Sequence, residues 1–284
     1  MKNVSLLAAS ISLALTGCGS SDSDSSTSTE LRTITAMDGY FKNAIVFVDK
    51  NDNGILNIGT DTLLGMTDEQ GQLKIAKETK GVIAIKTLTS GDTSLESFPE
   101  YKNKYTVDMD HPEQTISKAV VLRAPENSPV ISPITDLVAI EMKKSNKTET
   151  EAQDSIKTAL GLAADAELYI DFVEGEDKDS KLHKTAQILM ASKAADESNY
   201  ESNPIEFAQK VDEIVESLDT EKLEDDNYKP VVIKDDNGFT ETKNSKLTVS
   251  KEAVTRITAA FNALNLTVGV YKIKYYRALL TAPP

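Results

Sequence analysis

The chain has 284 residues, with 45 acidic against 31 basic side chains for a formal net charge of −14, 39% hydrophobic residues and one cysteine. A chain of this size buries one large core or two smaller ones, and its negative surface repels nucleic-acid phosphates and anionic lipid headgroups, which excludes both as partners. The single cysteine excludes intrachain disulfides and cysteine-based metal clusters.

Residues 1–17 have the pattern of a signal peptide: Met1-Lys2 is a short positive start, and the apolar run from Val4 to Thr16 is too short to span a bilayer. Leu15-Thr16-Gly17-Cys18 then resembles the lipobox of bacterial lipoproteins. That resemblance implies a diacylglyceryl group on the Cys18 thiol and acylation of the amine freed by cleavage, and several acyl chains anchor far more firmly than one. Gly19 rather than Asp after the cysteine implies the outer membrane, with the periplasmic or surface face left open. Residues 18–30 continue as a Ser/Asp-rich tether with no apolar surface to bury and a reach of about 20 Å.

From Leu31 short β-branched runs alternate with Gly, Asn and Asp clusters, the spacing of a β-sandwich. Strands are expected at Arg32–Met37, Ala44–Val48, Leu63–Thr67, Gln72–Ala76, Val82–Thr87, Lys104–Asp108 and Lys118–Leu122. Asp38-Gly39 is a turn signal, and Asp68-Glu69-Gln70-Gly71 reads as a tight hairpin connection with Gly71 at positive φ.

The acidic loop after Ala44–Val48 is the densest signal in this half. Asp49, Asn51, Asn53, Gly54 and Asn57 match successive positions of a D-x-[DN]-x-[DN]-G-x₅-E calcium loop, with the Ile55 carbonyl and Asp61 as further oxygens. Thr60 stands where the bidentate Glu belongs, so the expectation is weak, structural Ca²⁺ binding in the range of about 10⁻⁴ to 10⁻³ M. Turn formation alone also accounts for Asn, Asp and Gly in such a loop.

The stretch Asp38-Gly39-Tyr40-Phe41-Lys42-Asn43-Ala44-Ile45-Val46-Phe47-Val48-Asp49 through Asn53-Gly54, continued by Thr67-Asp68-Glu69-Gln70-Gly71-Gln72-Leu73, resembles the prealbumin-like β-sandwich modules of bacterial surface proteins. These are the Cna protein B-type and carboxypeptidase regulatory-like group. The resemblance covers residues 31–125 and implies a β-sandwich scaffold; no Lys, Asn and Glu triad is placed for an isopeptide bond.

The period changes near Pro125–Pro133, and residues 126–284 read as a mainly helical domain with a small hairpin. Ser132-Pro133 opens a helix with an apolar face of Ile134, Leu137 and Val138. A second is expected to open on a Thr150…Gln153 capping box and to end at Gly161. Others are expected at Leu182–Ser198, at Pro204–Leu218 after an Asn203 cap, and at Lys251–Leu264. Val231–Thr240 reads as a hairpin turned by Asn237-Gly238, and Val268–Tyr276 as an edge strand. The fold class expected is thus α+β in two modules, an antiparallel sandwich followed by helices, an order similar to uncharacterised bacterial surface lipoproteins with a Pro-Ile-Thr-x-Leu-Val segment at the joint.

Chemistry-bearing motifs are sparse. The two histidines, His111 and His183, fall in different modules by this division and read as surface or interface residues. No H-E-x-x-H, G-x-S-x-G, S-x-x-K or P-loop pattern occurs. Glu174/Glu176 and Asp177/Asp179 read as a solvated charge run rather than a carboxylate dyad. The expectation is a non-catalytic envelope lipoprotein whose helical part contacts another envelope or surface protein or a polysaccharide in adhesion, biofilm or envelope assembly. The alternatives are a periplasmic accessory lipoprotein binding an envelope partner, and a hydrolase with a carboxylate site.

Overall fold

The computed structural model describes residues 30–242. Cys18, its tether, the helix expected at Lys251–Leu264 and the strand expected at Val268–Tyr276 lie outside the described residues. The chain is α+β. Among the described residues nine strands come first: β1 (Leu31–Ala36), β2 (Phe41–Lys42), β3 (Ile45–Asp49), β4 (Thr62–Met66), β5 (Gln72–Ala76), β6 (Val82–Lys86), β7 (Val107–Asp108), β8 (Val121–Ala124) and β9 (Val130–Ile131). Six helices follow, α1 (Pro133–Ser145), α2 (Glu149–Ala159), α3 (Ser180–Ala195), α4 (Glu197–Ser202), α5 (Pro204–Glu216) and α6 (Thr220–Glu224), and then the strands β10 (Val231–Asp235) and β11 (Gly238–Thr242). No helix among the described residues is long and apolar enough to cross a membrane.

The Ile-Val-Phe-Val run explains where β3 sits. It is buried on both faces, as a central strand must be when its apolar residues do not alternate with polar ones. Its antiparallel sheet has the order β4-β3-β6-β8. Val46 points inward to Ile34, Ile83, Ile85 and Leu122, the core shared with the second sheet, β5-β1-β9. On the opposite face Ile45 packs with Leu88 and Leu95, and Phe47 with Ala84 and Val121; Leu56 and Leu63 lie against both groups.

Four expectations are corrected here. β1 pairs antiparallel with β5 but parallel with β9, Thr35 opposite Val130 and Ala36 opposite Ile131, so the strands are not all antiparallel. β9 lies beyond the boundary expected at 125/126 and still completes the sheet that starts at Leu31. Asp68–Gly71 is not a hairpin connection, because β4 pairs with β3 and β5 with β1; it carries the chain from one sheet to the other. Gly71 does take positive φ (68°), and a Cβ there would lie 2.4 Å from the Ala36 carbonyl oxygen, a position only glycine fits. The expected strands at Lys104–Asp108 and Lys118–Leu122 shorten or shift to β7 and β8.

Helix α1 starts as read, with Ser132 and Thr135 in a reciprocal capping box and Pro133 at the first position. Helix α2 opens two residues before the expected Thr150: Thr148 and Glu151 form the box, because Asn146 ends α1 in the left-handed conformation and frees Thr148 to cap. Asn203 precedes α5 without a side-chain cap, its amide bonded instead to the Asn199 carbonyl. The hairpin turn is Asp236-Asn237, with Gly238 (φ 111°) as first residue of β11, one residue earlier than expected.

A buried ion network joins strands to helices. Arg123 of β8 donates from Nε to Asp136 Oδ1 of α1 (3.0 Å) and from Nη2 to Glu201 of α4 (2.5 and 2.6 Å). Lys193 of α3 reaches Asp136 Oδ2 at 2.6 Å and Glu201 at 2.9 Å. Asp136 is fully buried, and the Arg123 and Lys193 side chains are 3% and 1% exposed. Asp136→Ala leaves two buried cations sharing one carboxylate, so unfolding in urea is expected to show a loss of about 3–5 kcal/mol; a loss under about 1 kcal/mol, the range of surface pairs, would show that the network is solvated.

Candidate functional site

The loop between β3 and β4 builds itself from its own polar groups. The Asp49 carboxylate, 2% exposed, accepts from the Asn53 and Gly54 amides at 3.1 and 2.7 Å. Asp61 accepts from the Lys50 and Asn57 amides at 3.0 and 2.7 Å. Asn57 Oδ1 accepts from the side-chain amides of Asn51 (3.1 Å) and Asn53 (2.8 Å), and Asn53 Oδ1 from the Ile55 amide (2.8 Å). The structure therefore links Asp49, Asn51, Asn53, Asn57 and Asp61, while the Ile55 side chain stands 58% exposed. Gly54 (φ 71°) sits so close to Arg123 that a Cβ would meet its guanidinium at 3.1 Å, and Lys143 donates to the Asp52 carbonyl. This hydrogen-bonded turn aims Leu56 back at Phe47.

A second site is a cleft of about 410 Å³ where the strand region meets α3 and the segment before β10. Its lining mixes apolar Phe41, Ile116, Met190, Ala191 and Ala194 with Asp38, Asp108, Asp226, Gln187, Lys118 and Lys229. Its parts come from distant stretches. Asp38 is the first residue of the Asp38-Gly39 turn, closed by the Met37–Tyr40 bridge. Asp108 ends β7, which pairs with β2 just after that turn. Asp226 and Lys229 are brought in by Lys184 of α3, whose ammonium bonds the Asp225 and Tyr228 carbonyls at 2.8 and 3.2 Å.

Of the two histidines, His111 lines the cleft and His183 lies 3.3 Å from the amide nitrogen of the lining residue Gln187. His183 Nε2 lies 2.9 Å from Asp110 Oδ2, and His111 Nε2 lies 2.9 Å from the Asp226 carbonyl oxygen. Asp110, His183 and Asp226 place ligand atoms within 4.8 Å of one another, a spacing a metal ion could use. The Gln187 amide nitrogen, however, already bridges them, donating to Asp110 Oδ2 at 2.8 Å and Asp226 Oδ1 at 2.9 Å, with its carbonyl oxygen held by Lys184. An amide donor thus fills the middle of the group. Burial pushes the Asp110 carboxyl up, but the hydrogen bonds from His183 and Gln187 outweigh it and hold its pKa below the usual range.

Asp38 has the opposite environment. It is 2% exposed and its Oδ1 has no hydrogen-bond partner. Burial, with Asp108 and Asp110 nearby, raises its pKa well above the usual carboxylate value, only partly opposed by Lys229. Lys229 itself bonds Asp108 at 3.3 Å. Sequence reading took Asp38 for a turn residue only and did not single out Asp108, Asp110, Gln187 or Asp226. The available signals were the acidic Asp108-x-Asp110-His111 run and His183 and Gln187 four apart on one helix. Glu174, Glu176, Asp177 and Asp179 are exposed, and Asp179 caps α3.

Comparison with protein-family models, with curated proteins and with solved structures finds no match for the chain.

The Asp38 environment gives a pH signature. A carboxyl whose folded pKa lies above its unfolded value of about 3.9 contributes stability that is complete below that value and lost as pH rises through the folded pKa. Asp38→Asn removes this loss. Melting curves from pH 4 to pH 8 are expected to show the variant gaining on the native protein as pH rises, to about 1 kcal/mol or more at neutrality. A stability difference constant over that range contradicts the assigned environment.

Proposed function

We propose that this chain is a lipid-anchored, non-catalytic protein of the bacterial envelope, in which a β-sandwich scaffold and a helical module together hold a small molecule in the cleft between them. The observation that carries the binding reading is Asp38, which lines the cleft beside apolar Phe41, Ile116 and Met190 and whose Oδ1 is a buried acceptor with no partner. That combination, with a volume within the usual range for ligand sites of about 300–1,000 Å³, suits a ligand with one directed polar group and an apolar body. The anchor is supported by Leu15-Thr16-Gly17-Cys18 and the tether after it.

Ca²⁺ enters this proposal only as a weak clamp on the loop formed by Asp49, Asn51, Asn53, Ile55, Asn57 and Asp61. A second reading, contact with another envelope or surface protein, is favoured by Ile55 and Ile58, 58% and 48% exposed on that same loop.

Four measurements separate these parts. Cys18→Ser is expected to move the protein from the membrane to the soluble fraction; retention in the membrane would remove the lipid anchor. The low-molecular-weight fraction of an envelope extract is expected to raise the melting temperature of the native chain, as a ligand binding only the folded state must, and to leave Ala194→Trp, whose cleft is filled, unchanged. Equal shifts in both put the ligand elsewhere. Asp49→Ala is expected to lower stability by about 1–3 kcal/mol even without metal, because two amides lose their acceptor. Ca²⁺ added to metal-stripped native protein tests the clamp: unchanged melting takes the ion out of the loop.

A further inference from the structure

We infer that the cleft recognises an organic monocation: a protonated amine whose head hydrogen-bonds to Asp38 Oδ1 and whose apolar body lies against Phe41, Ile116, Met190 and Ala194. This rests on the proposed reading of the cleft as a ligand site and names the class of ligand. The acceptor comes first in the reasoning. Asp38 Oδ1 is buried and has no partner, and a carboxyl oxygen left in that state costs about 1–3 kcal/mol that a donor would recover.

Charge then selects the donor. Asp38 and Asp108 face one ammonium, that of Lys229, which bonds Asp108 at 3.3 Å. Asp110 stands behind Asp38, its carboxylate filling the space where a Gly39 Cβ would lie, and its own charge is met by His183 and Gln187. The pair Asp38 and Asp108 is thus one positive charge short. Burial with Asp108 and Asp110 nearby raises the Asp38 pKa, and an ammonium beside it supplies the positive charge that favours its carboxylate form. The cleft lining carries three aspartates, Asp38, Asp108 and Asp226, against two lysines, Lys118 and Lys229, an excess of negative charge that opposes an anionic head.

Size and lining select the body. A cleft of about 410 Å³ with apolar residues in its lining is much larger than a bare ion needs, and the group with metal-like spacing is filled by the Gln187 amide. An alkyl or aryl ammonium satisfies the apolar and the acidic lining residues at once.

The test uses the full chain and three matched probes, 2-phenylethylammonium, 2-phenylethanol and 3-phenylpropionate, titrated calorimetrically at neutral pH. The ammonium is expected to bind at least about 10-fold more tightly than the alcohol, with the carboxylate weakest. Asp38→Asn is expected to weaken the ammonium by about 10-fold to 100-fold, the range for a hydrogen bond to a charged group, and to change the alcohol by far less. Ala191→Phe, which narrows the cleft without touching its charges, is expected to weaken both. Equal affinity for ammonium and alcohol on the native chain, or undiminished ammonium binding by Asp38→Asn, overturns the cation assignment while the cleft remains a binding site. Failure of all three probes to bind the native chain overturns the cleft itself.

Discussion

The architecture depends on one buried set of charges. Arg123, Asp136, Lys193 and Glu201 come from β8, α1, α3 and α4, and each charge is answered by opposite ones, so the set is neutral as a whole. Its geometry is over-determined: the Arg123 amide also donates to Asp136 Oδ1 at 3.0 Å, Thr135 donates to the Arg123 carbonyl at 3.0 Å, and the Tyr200 ring lies 5.4 Å from the Lys193 ammonium. Hydrophobic contact alone would let α1 slide over the sheet. Charges that lose several kcal/mol when unpaired do not tolerate sliding, so they fix the register of helices against strands.

Helix α3 transmits that register to the cleft. Lys193 places it in the network, while Gln187, Met190, Ala191 and Ala194 come from the same helix to the cleft. Lys184 fastens the Asp225–Tyr228 backbone, and Ser192 Oγ accepts from the Val232 amide at 2.9 Å to seat β10. A helix used on so many sides has no single apolar stripe; Lys184, Gln187, Ser192 and Lys193 are buried along with Leu182, Ala186 and Leu189. The strand region and the helices are consequently joined through polar groups as well as apolar ones, and the cleft is the part of that junction left unfilled by side chains.

This explains which elements could be read in advance. β3, β6 and α1 were legible because their signals are local: β-branched runs between turn formers, and a Ser-Pro helix start with an apolar face. The α2 cap was misplaced because Thr148…Glu151 and Thr150…Gln153 both satisfy the capping-box pattern, and the choice depends on how α1 ends at Asn146. The parallel β1–β9 pairing depends on residues nearly a hundred apart, which no local pattern encodes. The cleft was illegible for the same reason. Asp38, Asp108, Gln187 and Asp226 are ordinary polar residues in their own neighbourhoods, and only the fold brings them together.

Asp38 and Asp49 show why residue type and burial are insufficient guides to function. Both are aspartates, both are 2% exposed, and both belong to the strand-rich region. Asp49 has two backbone amides on its carboxylate, so its burial is compensated within the loop. Asp38 lies against Asp108 and Asp110 with one oxygen unpartnered, so the folded chain carries a cost there that its own groups do not offset. The Asx-rich motif that dominates the sequence thus closes on its own amides, while the residue in an unremarked Asp-Gly turn keeps a buried oxygen that no group among the described residues meets.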